Sequence, residues 1–338
     1  MNRSLSRHRA IHIAGGALAA AALPQRAFAQ AAPRGITVAL TSKTASDWAV
    51  YVADEVGFFA QNGIKPDLIV VGSSAAGAQQ LTAGSVDIGE VSTTQVIEAV
   101  LGGAPITAII NRTNNAPYAI LGKKGLTSIA QLKGKTIIVG GPNDITLVFM
   151  NTVLAAYKLT QDDVIYTFAG GTAERFAALL SGTVDASILL PPFSFRAESA
   201  GYPVLDNVRK YFPTFPFDTF CARTDYAKKN PDILTAYTKS VLQGVNWLYN
   251  PANRAKAVDI LARNTNSPLE DANKTYDFFI TEMKYYNRTG VMTNGDLAAV
   301  FSALLKTNQI KPPPPDPARF YDNTFVNRAN AELRGKGR

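Results

Sequence analysis

Short apolar runs alternate with segments of helical periodicity along most of the chain. Runs at 36–40, 66–71, 86–91 and 106–110 are rich in Ile, Val and Leu and flanked by Gly, Ser, Thr or Pro, which predicts buried strands. Residues 47–60, 75–82 and 94–101 predict the helices between them. In the first of these, Trp48, Tyr51, Val52, Glu55 and Phe58-Phe59 recur at helical intervals. The alternation resumes with strands at 136–139, 163–168 and 184–190 and helices at 145–157, 173–180 and 193–200. Strands that are apolar on both faces and joined by helices predict an α/β protein with mainly parallel sheets covered on both sides.

The pattern also repeats itself. Gly72-Ser73-Ser74-Ala75, Leu81-Thr82-Ala83-Gly84-Ser85-Val86-Asp87 and Gly103-Ala104-Pro105 are matched by Gly170-Gly171-Thr172-Ala173, Leu179-Leu180-Ser181-Gly182-Thr183-Val184-Asp185 and Gly201-Tyr202-Pro203, always 98 residues on. A register held this long predicts two similar lobes facing each other across a cleft. The expected division is 34–115 with 217–326 for lobe 1 and 116–216 for lobe 2. The aromatic, Pro-interrupted stretch 211–217 would be the return crossing, with hinges near Asn115-Ala116 and at 212–216. Helices are expected at 233–248, 251–264, 270–286 and 296–306, with Asn230 or Asp232 capping the first and Pro231 near its start. Pro312 to Pro315 must be extended, and 327–338 is expected to be a flexible tail.

The N-terminus changes the charge balance. Arg3, Arg7 and Arg9 precede an apolar, Ala-rich stretch at 11–23, and Ala27-Phe28-Ala29 offers small residues for cleavage, so 1–29 reads as a secretory signal. Its removal lowers the formal charge from +8 to +4, since four arginines and no acid lie there. So mild an excess gives no support to nucleic-acid binding. His8 and His12, the chain's two histidines, also lie in this segment. The processed protein is expected to be a soluble periplasmic monomer. Cys221 is the only cysteine, so no intrachain disulfide can form, and a buried thiol is expected.

Polar and glycine residues cluster where predicted strands end and helices begin. In lobe 1 these are Thr41-Ser42, Ser73-Ser74 and Ser92-Thr93; in lobe 2 they are Gly141, Asn143 and Asp144, then Thr172, then Pro191. Open parallel sheets bind ligands at the carboxyl ends of their strands, and helix N-termini there favour anions. Capping alone explains any one of these residues; six such sites together suggest a ligand cleft. Arg112 offers a bidentate grip on a carboxylate or sulfonate, or is a surface residue. Arg175 is expected to pair with Glu174 or face solvent. Trp48, Tyr118, Phe193, Phe215 and Phe217 are candidates for the cleft wall, or for the core.

Without a histidine beyond the leader, Ser-His-Asp and Cys-His catalysis and the commonest zinc ligand are unavailable. No phosphate-binding glycine loop occurs. No cofactor or metal is therefore expected.

The stretch from Val52-Ala53-Asp54-Glu55-Val56-Gly57-Phe58-Phe59 through Asn62-Gly63-Ile64, the two Gly-Ser/Thr-Val-Asp segments, Leu132-Lys133-Gly134-Lys135 and Asn230-Pro231-Asp232 resembles the substrate-binding proteins of nitrate, sulfonate and taurine-type ABC importers. That group includes binders of thiamine-precursor pyrimidines. The resemblance covers residues 36 to about 326. It implies a type II periplasmic-binding-protein fold, closure of two lobes on a solute, and ABC permease subunits as partners. The enzymatic relatives use a cysteine cluster and a histidine, neither of which this chain offers beyond the leader. The expected function is capture of a small organic anion, a sulfonate or an aromatic or other carboxylate, for an importer. The alternatives are a receptor that presents ligand to a membrane sensor and an exported enzyme on the same scaffold.

Overall fold

The computed structural model describes residues 32–307 and 309–335; the expected signal segment 1–29 lies outside them. The chain opens with strand β1 (Arg34–Leu40), helices α1 (Trp48–Glu55) and α2 (Phe58–Gln61), and strand β2 (Ile64–Val70). Helix α3 (Ser74–Ala83), strand β3 (Ile88–Ser92), helix α4 (Thr93–Leu101) and strand β4 (Ile106–Thr113) complete the first run. After a crossing come β5 (Ala119–Gly122), β6 (Thr136–Val139), α5 (Ile145–Ala156), β7 (Ile165–Phe168), α6 (Thr172–Leu180), β8 (Ala186–Leu189), α7 (Phe193–Ser199) and β9 (Val204–Asn207). The chain then returns as β10 (Asp218–Arg223).

Two five-stranded sheets result, ordered β2-β1-β3-β10-β4 and β7-β6-β8-β5-β9. The first is parallel about β1 and the second about β6, and each takes one antiparallel strand, β10 or β5, between two others. That strand is the first one laid down after the chain crosses. The two crossings lie side by side, the Phe215 amide donating to the Asn114 carbonyl at 2.7 Å.

The repeat has a structural counterpart at its aspartates. The Asp87 carboxylate accepts from the Thr37 amide at 2.9 Å, and Asp185 accepts from Thr136 at 3.0 Å. Asp87 thereby ties the start of β3 to β1, and Asp185 the start of β8 to β6. Gly84 and Gly182, at φ 77° and 76°, supply the left-handed turn just before.

Helices α8 (Thr224–Lys229), α9 (Pro231–Leu248), α10 (Arg254–Thr265) and α11 (Leu269–Tyr276) follow, then α12 (Asn294–Lys306) and α13 (Thr324–Gly335). Two expectations fail here. The helix predicted over 270–286 gives way after Tyr276 to a π-helical turn over Asp277–Glu282. Lys284 then adopts φ 51° and Phe279 stacks on Tyr285 at 4.1 Å, so aromatic packing ends the helix. The predicted flexible tail is helix α13 as far as Gly335, with 336–338 outside the described residues. Phe325, Val326 and Ala329 are buried, and Glu332 pairs with Lys239 of α9 at 2.7 Å. This sparse apolar stripe at helical spacing is masked by a polar composition.

Candidate functional site

The lobes meet across a cleft. The Ala45 amide donates to the Pro191 carbonyl at 3.1 Å, and Asn143 Nδ2 donates to Glu98 Oε1 at 2.8 Å on the rim. Between the lobes lies a cavity of about 40 Å³, room for only a few water molecules.

One wall comes from the loop after β1 and the ends of β3 and β10. Thr41, Ser42, Thr44 and Ser46 line it, with Ser74, Glu90, Ser92 and Asp218. The other wall holds Tyr118, Asp144, Ile145, Gly170, Thr172, Arg175 and Leu190, with Phe217 from the return crossing. Strand ends and helix starts place these groups, as open α/β sheets dictate. Ser92 caps α4 through the Gln95 amide at 3.4 Å, and Asp144 caps α5 through Thr146 at 2.9 Å. The Ser74 hydroxyl accepts from the Ser92 amide at 2.7 Å, locking α3 to the end of β3.

Several expected site residues lie elsewhere. Arg112 is buried behind the cavity, where it contacts Asp47 at 2.7 Å and both Glu90 and Asp218 at 2.9 Å. It also donates to the Ser46 carbonyl and lies over the Phe220 ring at 4.5 Å. Both terminal nitrogens are thus engaged by protein oxygens, and the residue is not part of the cavity lining. Trp48 is core, its indole N–H donating to the Ala257 carbonyl at 2.9 Å and its ring edge meeting Tyr276. Phe215 packs on Phe149 and Phe212, each at 5.3 Å; Phe217 takes the wall position instead. Thr93 is buried outside the lining, and Gly141 holds the turn before α5 through a 3.2 Å bond from the Asp144 amide. Ser73 caps α3 and abuts Gly170 of the other lobe. Asn143 and Pro191 serve the lobe contact described above rather than the lining.

Arg175 reverses its expectation. It is 2% exposed and turns inward, its Nε donating to the Ile188 carbonyl at 3.0 Å. Nη1 donates to the carbonyls of Ala169 and Gly170, and Nη2 to the Thr172 hydroxyl at 3.0 Å. Glu90 and Asp218 were not anticipated. A carboxylate within the apolar run of β3 was the one available signal for Glu90; Asp218 sits in a stretch read only as a crossing.

The buried acids have perturbed protonation. Burial, and then Glu90, raise the Asp47 carboxyl well above its ordinary range, against the pull of Arg112. Burial also raises Asp218 well above its ordinary range, against the pull of Arg112 and with Glu90 and Asp47 adding to the rise. For Arg112 burial opposes the charge, but Asp218, Asp47 and Glu90 more than offset it. A raised carboxyl pKa means the folded state holds protons that the unfolded chain releases. The stability these two groups contribute is therefore complete below about pH 4 and lost as pH rises through their folded values. Asp218→Asn is accordingly expected to lose less stability than the wild type between about pH 5 and 8, by denaturant midpoints. Equal losses in the two proteins contradict it.

Cys221 is buried in β10, 3.3 Å from the Thr219 hydroxyl, and burial pushes its thiol up to about 12. Maleimide labelling of the native protein is expected to proceed no faster than unfolding; rapid labelling would show the thiol to be accessible.

The NMT1/THI5-like family profile matches residues 46–255, more than half of the chain. The chain belongs to that family. A Brucella abortus relative, provisionally named as a binding protein, is 26% identical over 219 residues, which span 63% of this chain and 66% of its own length. The nitrate-binding protein NrtA of Synechocystis PCC 6803 superposes with a TM-score of 0.75 at 14% identity, over 89% of each chain. The alkanesulfonate-binding protein SsuA of Xanthomonas axonopodis, bound to MOPS, gives 0.69 at 18%, over 88% of this chain and 98% of its own. The desulfurization enzyme DszB, as a cysteine-to-serine mutant in complex with biphenyl-2-sulfinic acid, shares the fold at 0.65 and 14%, over 88% and 99%. Thus this two-lobed α/β fold, with its mainly parallel sheets, is that of periplasmic binding proteins and of at least one enzyme. Among the described residues no helix is long and apolar enough to cross a membrane.

Proposed function

We propose that this chain is the extracytoplasmic solute receptor of an ABC importer, capturing a small organic molecule between its lobes without converting it. The observation that carries this is the cavity itself, a polar chamber lined jointly by both lobes at their strand ends. At about 40 Å³ it admits a solute only if the lobes part. The paired crossings at 114–118 and 208–217 are the segments on which such a motion turns. Ligand then favours the closed form by binding it more tightly than the open one. The carboxylate or sulfonate of the solute faces lobe 2, where Arg175 and Thr172 offer positive charge and a hydroxyl. The names of NrtA and SsuA support an acidic group of this kind. The inaccessible Cys221 and the lack of histidine among the described residues support binding without conversion.

The test is native mass spectrometry of the purified protein, followed by calorimetry with the recovered solute. A stoichiometric small molecule, returned unchanged, is the expected result. Its steady conversion to product would instead make the chain an enzyme.

A further inference from the structure

We infer that Asp218 is a specificity residue of the cavity, donating a hydrogen bond from a neutral carboxyl to an oxygen of the solute. Capture then requires a proton on this side chain. The inference rests on the receptor reading and assigns a role within the same site.

Asp218 is 3% exposed and lines the cavity from the start of β10. Among the described residues Arg112 is its one donor, with Nη1 2.9 Å from Oδ2, and that nitrogen also donates to Glu90 Oε1 at 2.9 Å. The other two acids of the lining are held by the backbone. Glu90 Oε2 accepts from the Thr41 amide, and Asp144 accepts from the Thr146 amide at 2.9 Å. Asp218 is the lining acid that no amide or hydroxyl ties down.

Its charge state follows from its surroundings. Burial favours the protonated form against the pull of Arg112, with Glu90 and Asp47 adding to the rise. Asp47 is raised in the same way. With both neutral, one carboxylate stands against one guanidinium, and this wall can face an acidic solute without repelling it. Arg112 faces Oδ2, so the proton belongs on Oδ1. Glu90 is the protein neighbour placed to take that O–H, but each of its oxygens already accepts a hydrogen bond. A solute oxygen turned towards lobe 1 is the better acceptor. If the solute's acid group also reaches Arg175 and Thr172, it bridges the lobes. An ionised Asp218 would replace that bond with repulsion in a water-poor chamber.

Burial raises the neighbouring phenols of Tyr118, Tyr237 and Tyr285 and pushes the Cys221 thiol up to about 12. Arg175 and Asp144 face Asp218 across the cavity. Asp47 titrates behind it, so a pH profile needs a variant to assign it.

Calorimetry with nitrate, methanesulfonate and benzoate, and with the solute that mass spectrometry returns, tests this. Asp218→Asn, which keeps a donor, should bind at least about tenfold more tightly than Asp218→Val, which keeps the branched shape without one. Above the pH at which Asp218 ionises, wild-type affinity should fall about tenfold per pH unit, and that of Asp218→Asn should not. The infrared difference between wild type and Asp218→Asn near neutral pH should show a protonated-carboxyl C=O stretch; this needs neither solute nor the valine variant. Absence of that stretch overturns the inference and leaves the receptor reading intact. So does equal affinity in the two variants, or tighter binding by both than by the wild type. If no solute is recovered and no probe binds, both readings fall.

Discussion

Replacing Arg112 with methionine is expected to cost the fold about 3–5 kcal/mol, the range for removing one partner of a buried ion pair. Arg112 is 5% exposed and its guanidinium touches Asp47, Glu90 and Asp218. Without it, three carboxyl groups face one another with no compensating cation. They must take up protons or admit water, and either route lowers stability. Methionine keeps most of the volume and its contact with Phe220, so the loss reports charge rather than a cavity. The measurement is chemical denaturation near neutral pH, and acidification should recover part of the loss as the acids become neutral. A change below about 1 kcal/mol would mean the cluster holds its negative charge without this arginine.

Gly170→Val is expected to weaken solute binding by at least about tenfold while leaving the unfolding free energy within about 0.5 kcal/mol of the wild type. A Cβ at Gly170 would run into the Gly72 carbonyl oxygen and the Ser73 side chain, which belong to the other lobe. The backbone there lies outside the left-handed region, so strain within lobe 2 is not at issue. The clash exists only when the lobes meet, so its cost falls on the closed state alone. Small-angle scattering with solute present should then show a wider particle than the wild type. Wild-type affinity in the variant would show that closure does not bring these loops together.

Lobe closure also bears on the duplication. The loops that meet, at Gly72-Ser73 and Gly170-Gly171, are repeat equivalents 98 residues apart. Each carries a helix start to the cleft, which is why one motif serves both walls. Yet the walls differ in residue type: β10, returning from the crossing, brings Asp218 to lobe 1, whereas the other crossing brings Tyr118 towards lobe 2.

How much of this was legible beforehand follows from what is local. Alternation marked β1 to β4 and β6 to β8 with their helices to within a few residues, because a buried strand or an amphipathic helix declares itself through its own side chains. Strands β5, β9 and β10 escaped. They are no shorter than β6 to β8, but β10 adjoins an aromatic stretch rich in proline, and their strand character comes from neighbours brought by the crossings. The candidate site divides in the same way. Thr41, Ser42, Ser74, Ser92, Asp144 and Thr172 were found as polar residues at strand-to-helix junctions, which the chain writes consecutively.

The amino-acid order alone thus determined an α/β chain with a repeated unit and polar junctions aimed at a shared cleft. It did not decide which arginine faces that cleft. Arg112 and Arg175 are both single cations near strand ends, and their roles depend on acids far away in the chain: Asp47 and Asp218 beside one, none beside the other. Charge pairing in a buried site is set by distances of a few ångström between segments that only folding brings together, and only the tertiary structure supplies those distances.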